Sequence, residues 1–282
     1  MKIVLFDIDG TLIKAGGAGI RGLNKAVKTM CGVDGICGKF SIQGSTDKEN
    51  FTTAFKLASG RRPTAGQFRE LELRYIEFLP AEVARSVKSG NYSKLNGIEQ
   101  FLAALSGRKD VAVGLGTGNL KEGALIKLAP SGLLKYFAFG GYGCDSHIRS
   151  EVLKKAVARA GKLLRVKIKP SEVYVIGDTH KDIEAAKEAG YHSASVLDGF
   201  GDRGMLMRSG AELMAGDFSD LYPWMIWLGL ENDRRGVERG TYICPDSPIE
   251  HAHYGRTGMD LKDIDNGISA LRKLKRKADG KK

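Results

Sequence analysis

Cysteine is scarce in this 282-residue sequence. The four present, Cys31, Cys37, Cys144 and Cys244, are too few for a disulfide framework, and their spacings fit no common zinc motif. Long apolar runs are missing too: nothing approaches the ~18 consecutive apolar residues of a membrane-spanning helix. No internal repeat is seen, which argues against a repeat architecture. Acidic residues are in deficit, 33 against 44 basic ones, for a formal charge of +11. What remains, 42% hydrophobic and 27% charged, is the composition of a folded soluble chain with enough length for one large domain or two smaller ones. The apolar start, Lys2 to Phe6, runs at once into Asp7 and Asp9, so no signal peptide is expected and a reducing cytoplasm is the expected setting.

The basic excess is local. Residues 272–282 carry seven lysines and arginines against Asp279, so more than half of the net charge sits in a tail. Such a tail is expected to be a solubilising terminus; contact with nucleic acid is the less favoured alternative.

Short apolar strands are expected at 2–6, 111–115, 136–139, 172–176 and 193–196, with helices between them at 97–105, 121–128, 150–160 and 181–189. The alternation predicts an α/β fold with a doubly wound parallel sheet, a Rossmann-like core. Residues 19–92 break the rhythm. Helical patterns at 19–30, 47–58 and 64–89, the last with an apolar stripe through Leu71, Tyr75, Phe78 and Leu79, predict a helical insertion. The expected organisation is a core of 1–18 and 93–221, an insertion of 19–92, and an extension of 222–282. In that extension 221–228 is expected to pack on the core through Trp224 and Trp227, and 264–277 to form a basic helix.

Chemistry concentrates after three strands. Asp7 and Asp9 sit two residues apart at the end of the first expected strand, so both carboxylates are expected on one side at the ligand-binding edge of the sheet. Their repulsion is tolerable if a divalent cation neutralises one and the other works as an acid or base. Thr117, with the backbone N–H groups of Gly118 and Asn119 opening onto a helix, could cradle an anion. Asp178 is placed to complete the oxygen shell of a hard cation, with Asp182 on the following turn. His251, His253 and Cys244 form a lesser candidate metal set, read as a solvated loop.

Taken together, Phe6-Asp-Ile-Asp-Gly-Thr-Leu12, Gly116-Thr-Gly-Asn119 and Ile176-Gly-Asp-Thr-His-Lys-Asp182 resemble the haloacid dehalogenase superfamily, in its phosphoglycolate-phosphatase-like branch. The insertion looks like that branch's helical cap, and Gly44-Ser-Thr-Asp47 resembles its cap motif, with Ser45 where arginine is frequent. The resemblance implies an Mg²⁺-dependent phosphoric monoester hydrolase acting on a small phosphorylated metabolite, a phosphoglycolate-like ester among the candidates. It implies Asp7 as nucleophile and metal ligand, and Asp9 as general acid–base with its backbone carbonyl on the metal. Asp178 would bind metal, Asp182 would support the site, and Thr117, Gly118 and Asn119 would hold the phosphoryl group. No Lys-Pro follows the fourth strand, so two residues compete as the charge-balancing cation. Lys127, reaching back along its helix, is favoured; Arg149 is expected at the edge of the site.

Two other readings stay open: a phosphomutase of the same superfamily, and a nucleic-acid-associated protein using the tail. The oligomeric state is not legible. Deleting residues 272–282 is expected to leave kcat on small phosphomonoesters nearly unchanged; a large fall would make the tail part of the catalytic unit.

Overall fold

The computed structural model of the chain describes residues 1–232. The expected basic helix at 264–277, the tail at 272–282 and the lesser metal set Cys244, His251 and His253 lie outside those residues. Six parallel strands form the central sheet: β1 (Lys2–Phe6), β4 (Val111–Gly116), β5 (Phe139–Gly141), β6 (Val173–Gly177), β7 (His192–Val196) and β8 (Leu213–Ala215), in the order β5-β4-β1-β6-β7-β8. A second, two-stranded ribbon pairs β2 (Ile13–Lys14) with β3 (Ser93–Lys94) antiparallel.

Side chains alternate across β1 and feed two apolar layers. Ile3 and Leu5 join Leu153, Val175 and Ala186 on one face, whereas Val4 and Phe6 join Phe101, Phe218 and Trp224 on the other. Burial on both faces explains why β1 reads as a continuous apolar run. The first layer is closed by α6 (Arg149–Leu164) and α7 (His180–Glu188). The second is closed by α4 (Ile98–Ser106), α5 (Lys121–Leu128) and α9 (Tyr222–Trp227), where Trp224 packs at a tilt against the stacked rings of Phe101 and Phe218.

Between the two strands of the small ribbon come α1 (Ala18–Cys31), α2 (Asp47–Ser59) and α3 (Ala65–Lys88). Helices α2 and α3 start where the sequence offers a side-chain cap. The Thr46 side chain accepts from the Glu49 N–H, and Thr64 with Gln67 forms a reciprocal capping box. Leu23, Phe51, Tyr75 and Leu79 pack with Leu120, Ala124 and Leu128 in one apolar layer, so the helical insertion shares its core with the sheet. Among the described residues no helix is long and apolar enough to cross a membrane.

The strand expected at 136–139 needs correction. Leu133–Tyr136 is a 3₁₀ turn, and β5 begins at Phe139 and continues through Gly140 and Gly141. Glycine is a poor strand former, which hid the segment. A Cβ on Gly141 would lie 2.0 Å from the Val152 carbonyl oxygen, so α6 can pack here only against a bare backbone. Helix α8 (Arg203–Ser209) and β8 were not expected.

The insertion is tied to its root by a buried carboxylate. Glu82 of α3 pairs with Arg21 (2.6 Å) and with Lys25, and Arg21 also donates to the Gly16 carbonyl (2.6 Å) and the Ser86 hydroxyl (2.7 Å). Burial alone would raise the Glu82 pKa, but the hydrogen bonds from Lys25 and Arg21 outweigh it and hold the group below the usual range. A carboxylate with a depressed folded pKa adds stability above its unfolded value, about 4.3, and loses it as pH falls through the folded one. Glu82→Gln is therefore expected to cost on the order of 2 kcal/mol in urea unfolding at pH 7 and to flatten the decline seen below about pH 4. Parallel declines in the two proteins would remove Glu82 from the account.

Candidate functional site

Phe6 is level with Leu115 of β4 and with Ile176 of β6, so three loops leave the carboxyl edge of the sheet side by side. Successive strands are added first on the β4 side of β1 and then on the β6 side, which makes this edge a topological switch point, the usual binding crevice of such sheets. Asp7, Asp9, Gly118, Asn119, Lys127, Arg149 and Asp178 all line one cavity there, of about 230 Å³.

The turn after β1 depends on Gly10, whose φ is +85°. A Cβ there would lie 2.0 Å from Asp178 Oδ2, so only glycine lets this turn press against the third loop. Asp7 is nearly buried. Its Oδ1 lies 3.1 Å from Arg149 Nη2 but accepts no hydrogen bond. Arg149, the first residue of α6, also pairs with Asp182 Oδ1 and donates to the Gly44 carbonyl (3.1 Å). Asp9 turns the other way. Its Oδ2 accepts from Lys127 Nζ (2.6 Å) and from Asn119 Nδ2 (3.0 Å), and Lys127 reaches Asn119 Oδ1 (2.6 Å) as well.

The two expected cations are thus both present in the cavity, each against a different carboxylate. Lys127 does reach back along α5, but to Asp9 and not to Asp7. Arg149 is not at the edge of the site: its side chain is 10% exposed and faces Asp7 directly. The start of α6 lies close enough to β1 for a long side chain at its first position to meet the end of that strand.

The expected anion cradle is also different. The Asn119 N–H and Nδ2 both donate to Thr117 Oγ1, at 3.2 and 2.9 Å. The N–H of Leu120, the N-cap of α5, donates to Asp47 Oδ2 (2.7 Å), and the Asp47 N–H donates to the Gly118 carbonyl (2.7 Å). A carboxylate of the insertion therefore takes the Leu120 N–H at the start of α5, next to the expected cradle of Thr117, Gly118 and Asn119. Thr117 stays fully buried beside Asp7, and Gly118 lines the cavity.

Asp7, Asp178 and Asp182 each offer an oxygen within 4.8 Å of the others. Asp182 is committed: Oδ1 meets Arg149, and Oδ2 accepts from the Thr179 N–H (3.1 Å) and hydroxyl (2.7 Å). Asp178 Oδ2 accepts from the Phe200 N–H (2.6 Å), while Asp178 Oδ1, like Asp7 Oδ1, is buried with no hydrogen-bond partner. Burial pushes the Asp7 carboxyl up to about 6, with Arg149 opposing and Asp182 and Asp9 adding to the rise. Burial, with the charges of Asp182 and Asp7, holds Asp178 well above the ordinary carboxylate range. Two buried carboxylate oxygens without hydrogen-bond partners, on carboxylates that converge within 4.8 Å, are what a hard, oxygen-seeking divalent cation would satisfy, so the donor set fits one.

Sequence reasoning missed three contacts at this site. Lys181 donates to the Ser45 hydroxyl (2.7 Å), Asp47 fastens the insertion to α5, and Phe200 closes over Asp178 by its backbone. The serine in place of arginine at 45 and the Gly-Phe-Gly run at 199–201 were the available signals. Burial raises Asp47 to about 6 against the pull of Lys127 and the Leu120 N–H. Burial works against the Lys127 charge, but Asp9, Tyr75 and Asp47 together keep that lysine more basic than usual.

Residues 1–190 match the family model of haloacid dehalogenase-like hydrolases. A phosphoglycolate phosphatase of Synechococcus elongatus is 28% identical over 125 residues, 44% of this chain and 56% of that protein, so the match spans little more than half of the curated relative. The β-phosphoglucomutase of Clostridium difficile has a TM-score of 0.62 at 18% identity over 81% of this chain and 97% of that one. A hydrolase of Pseudomonas syringae has a TM-score of 0.60 at 19% identity over 80% and 98%. At such identities the structural likeness speaks for the fold alone.

The orphaned oxygens generate a prediction about stability. Titration with Mg²⁺ is expected to raise the Tm of the wild type by several degrees, because a ligand of the folded state alone stabilises it by mass action. Asp178→Asn relieves the repulsion, so it should melt no lower than the wild type without added metal and lose most of the Mg²⁺ response. A full response in that variant would remove Asp178 from the cation site.

Proposed function

The chain belongs to the haloacid dehalogenase-like hydrolases, and we propose that it is a magnesium-dependent phosphatase hydrolysing a small phosphomonoester through a phosphoryl-Asp7 intermediate. One observation carries the reading: two carboxylates two residues apart answer to different cations. Asp7 lies against Arg149 with an oxygen left unbonded, whereas Asp9 is fixed through a single oxygen by Lys127 and Asn119. That division suits one as a nucleophile and the other as a proton carrier.

In this reading Asp7 attacks phosphorus while the bond to the leaving oxygen breaks, and Asp9 gives that oxygen its proton. Asp9 then takes a proton from water, the water attacks the phosphoryl group, and Asp7 is freed as inorganic phosphate departs. Asp7, Asp178 and the Asp9 carbonyl would hold Mg²⁺, whose charge would offset that of the phosphoryl oxygens. Arg149 keeps Asp7 ionised and braced against Asp182, Lys127 orients Asp9, and Thr117, Gly118 and Asn119 border the phosphoryl group. Residues 1–18 and 93–221 serve as the phosphatase core and 19–92 as its cap, docked through Asp47 on α5 and Ser45 on Lys181. The phosphate ester named for the curated relative is one member of the substrate class to be tried.

Asp7→Asn is expected to bring phosphate release from a panel of monoesters to background, and Asp9→Asn to slow it roughly 10²–10⁴-fold. Retained turnover in a pure Asp7→Asn sample would sink the mechanism. Interconversion of sugar phosphates without phosphate release would make the protein a mutase.

A further inference from the structure

The wall of the cavity that faces away from the sheet belongs to the insertion, and its character differs from that of the floor. Leu23 of α1, Ile42, and Phe51 of α2 present carbon to the cavity. Ile20 and Phe200 line it too, and each is close to half exposed, at 46% and 42%, so the apolar lining continues out to solvent.

Charge at the cavity is already spoken for. Among the described residues, those lining it include four carboxylates, Asp7, Asp9, Asp47 and Asp178, against two cations, Lys127 and Arg149. Both cations are bound to carboxylates: Lys127 to Asp9, and Arg149 to Asp7 and Asp182. Lys181, the nearest further lysine, is turned onto Ser45. A phosphoryl group would meet Arg149 and the cation site on the floor, but a second anion on the same substrate would meet the carboxylate of Asp47, apolar side chains and only uncharged polar groups, those of Gln43, Ser45, Asn50 and Tyr75. Placing an unpaired charge there is costly.

We propose that the leaving group is a compact, neutral alcohol with an apolar carbon skeleton, and that acids and bisphosphates are poor substrates. This rests on the phosphatase reading above. Size agrees with it. At about 230 Å³ the cavity lies below the ~300–1,000 Å³ usual for small-molecule sites. A phosphoryl group then leaves room for only a small skeleton, and a longer one would extend along the lining toward Ile20 and Phe200.

The experiment measures kcat/KM by phosphate release, with the full chain and Mg²⁺, on methyl, ethyl, propyl and butyl phosphate, phosphoglycolate and an aryl phosphate. Specificity is expected to rise about threefold per methylene along the alkyl series, and propyl phosphate to exceed phosphoglycolate by tenfold or more. A flat series, or phosphoglycolate equal to or better than propyl phosphate, would overturn this proposal and leave the phosphatase reading standing. No hydrolysis of any ester, the aryl phosphate included, would overturn the phosphatase reading and this proposal with it. Ile20→Lys supplies a second arm, since the position is half exposed on α1 and tolerates a long polar side chain. It is expected to raise the ratio of phosphoglycolate to propyl phosphate about three- to fivefold; an unchanged ratio would show that the leaving group never meets this wall.

Discussion

Repulsion between carboxylates governs this site. Asp7, Asp178 and Asp182 converge within 4.8 Å at the carboxyl edge of the sheet, in surroundings dry enough to push Asp7 up to about 6 and to hold Asp178 well above the ordinary carboxylate range. A fold can sustain that concentration of charge only if cations are built in or brought in. Arg149 is the built-in part: its guanidinium meets Asp7 and Asp182, and its fixed fork also reaches the Gly44 carbonyl. Two oxygens, one on Asp7 and one on Asp178, are left over. They define where a bound cation belongs and why the protein should be more stable with one.

The same charges fasten the insertion to the sheet. Asp47 takes the N-terminal N–H of α5 while Lys127, near the other end of that helix, holds Asp9. Arg149 and Lys181 both hold the loop at 44–45. Each of these links joins a residue beside the reacting groups to a residue of the insertion or its supporting helix. Movement of the insertion would therefore alter the surroundings of Asp7 and Asp9 directly. Under the proposed function the polar floor would treat monoesters alike, and the apolar wall carried by the insertion would tell them apart.

Much of this was legible in the sequence because it is written locally. An apolar run ending in Asp7 and Asp9 fixes a buried strand and the edge at which it ends, and helix caps such as Thr46 and Thr64 lie next to the helices they start. Side-chain pairing across the fold is not local. That Lys127 would reach its loop followed from helix geometry, but whether it meets Asp7 or Asp9 depends on the angle between α5 and β1, which no spacing encodes. Arg149 was expected at the margin for the same reason. The Asn119 N–H was expected to be open to a ligand, because nothing in residues 116–121 reveals that Asp47, more than seventy positions earlier, closes the adjoining helix end. Strand β5 was misjudged for a different reason: its glycines serve the approach of α6 and carry no strand signature of their own.

The central claim is that Asp7 carries the phosphoryl group, and trapping that species tests it most directly. In Asp9→Asn the attack of water is slowed more than the attack of Asp7 whenever the leaving group is a good one, such as an aryl phosphate. Acid quenching within one turnover, followed by intact-mass measurement and peptide mapping, should find one phosphoryl group per chain, on the peptide containing Asp7, decaying as free phosphate appears. Leaving-group release with no protein-bound phosphoryl group, or a phosphoryl group mapped to any other residue, would contradict the account.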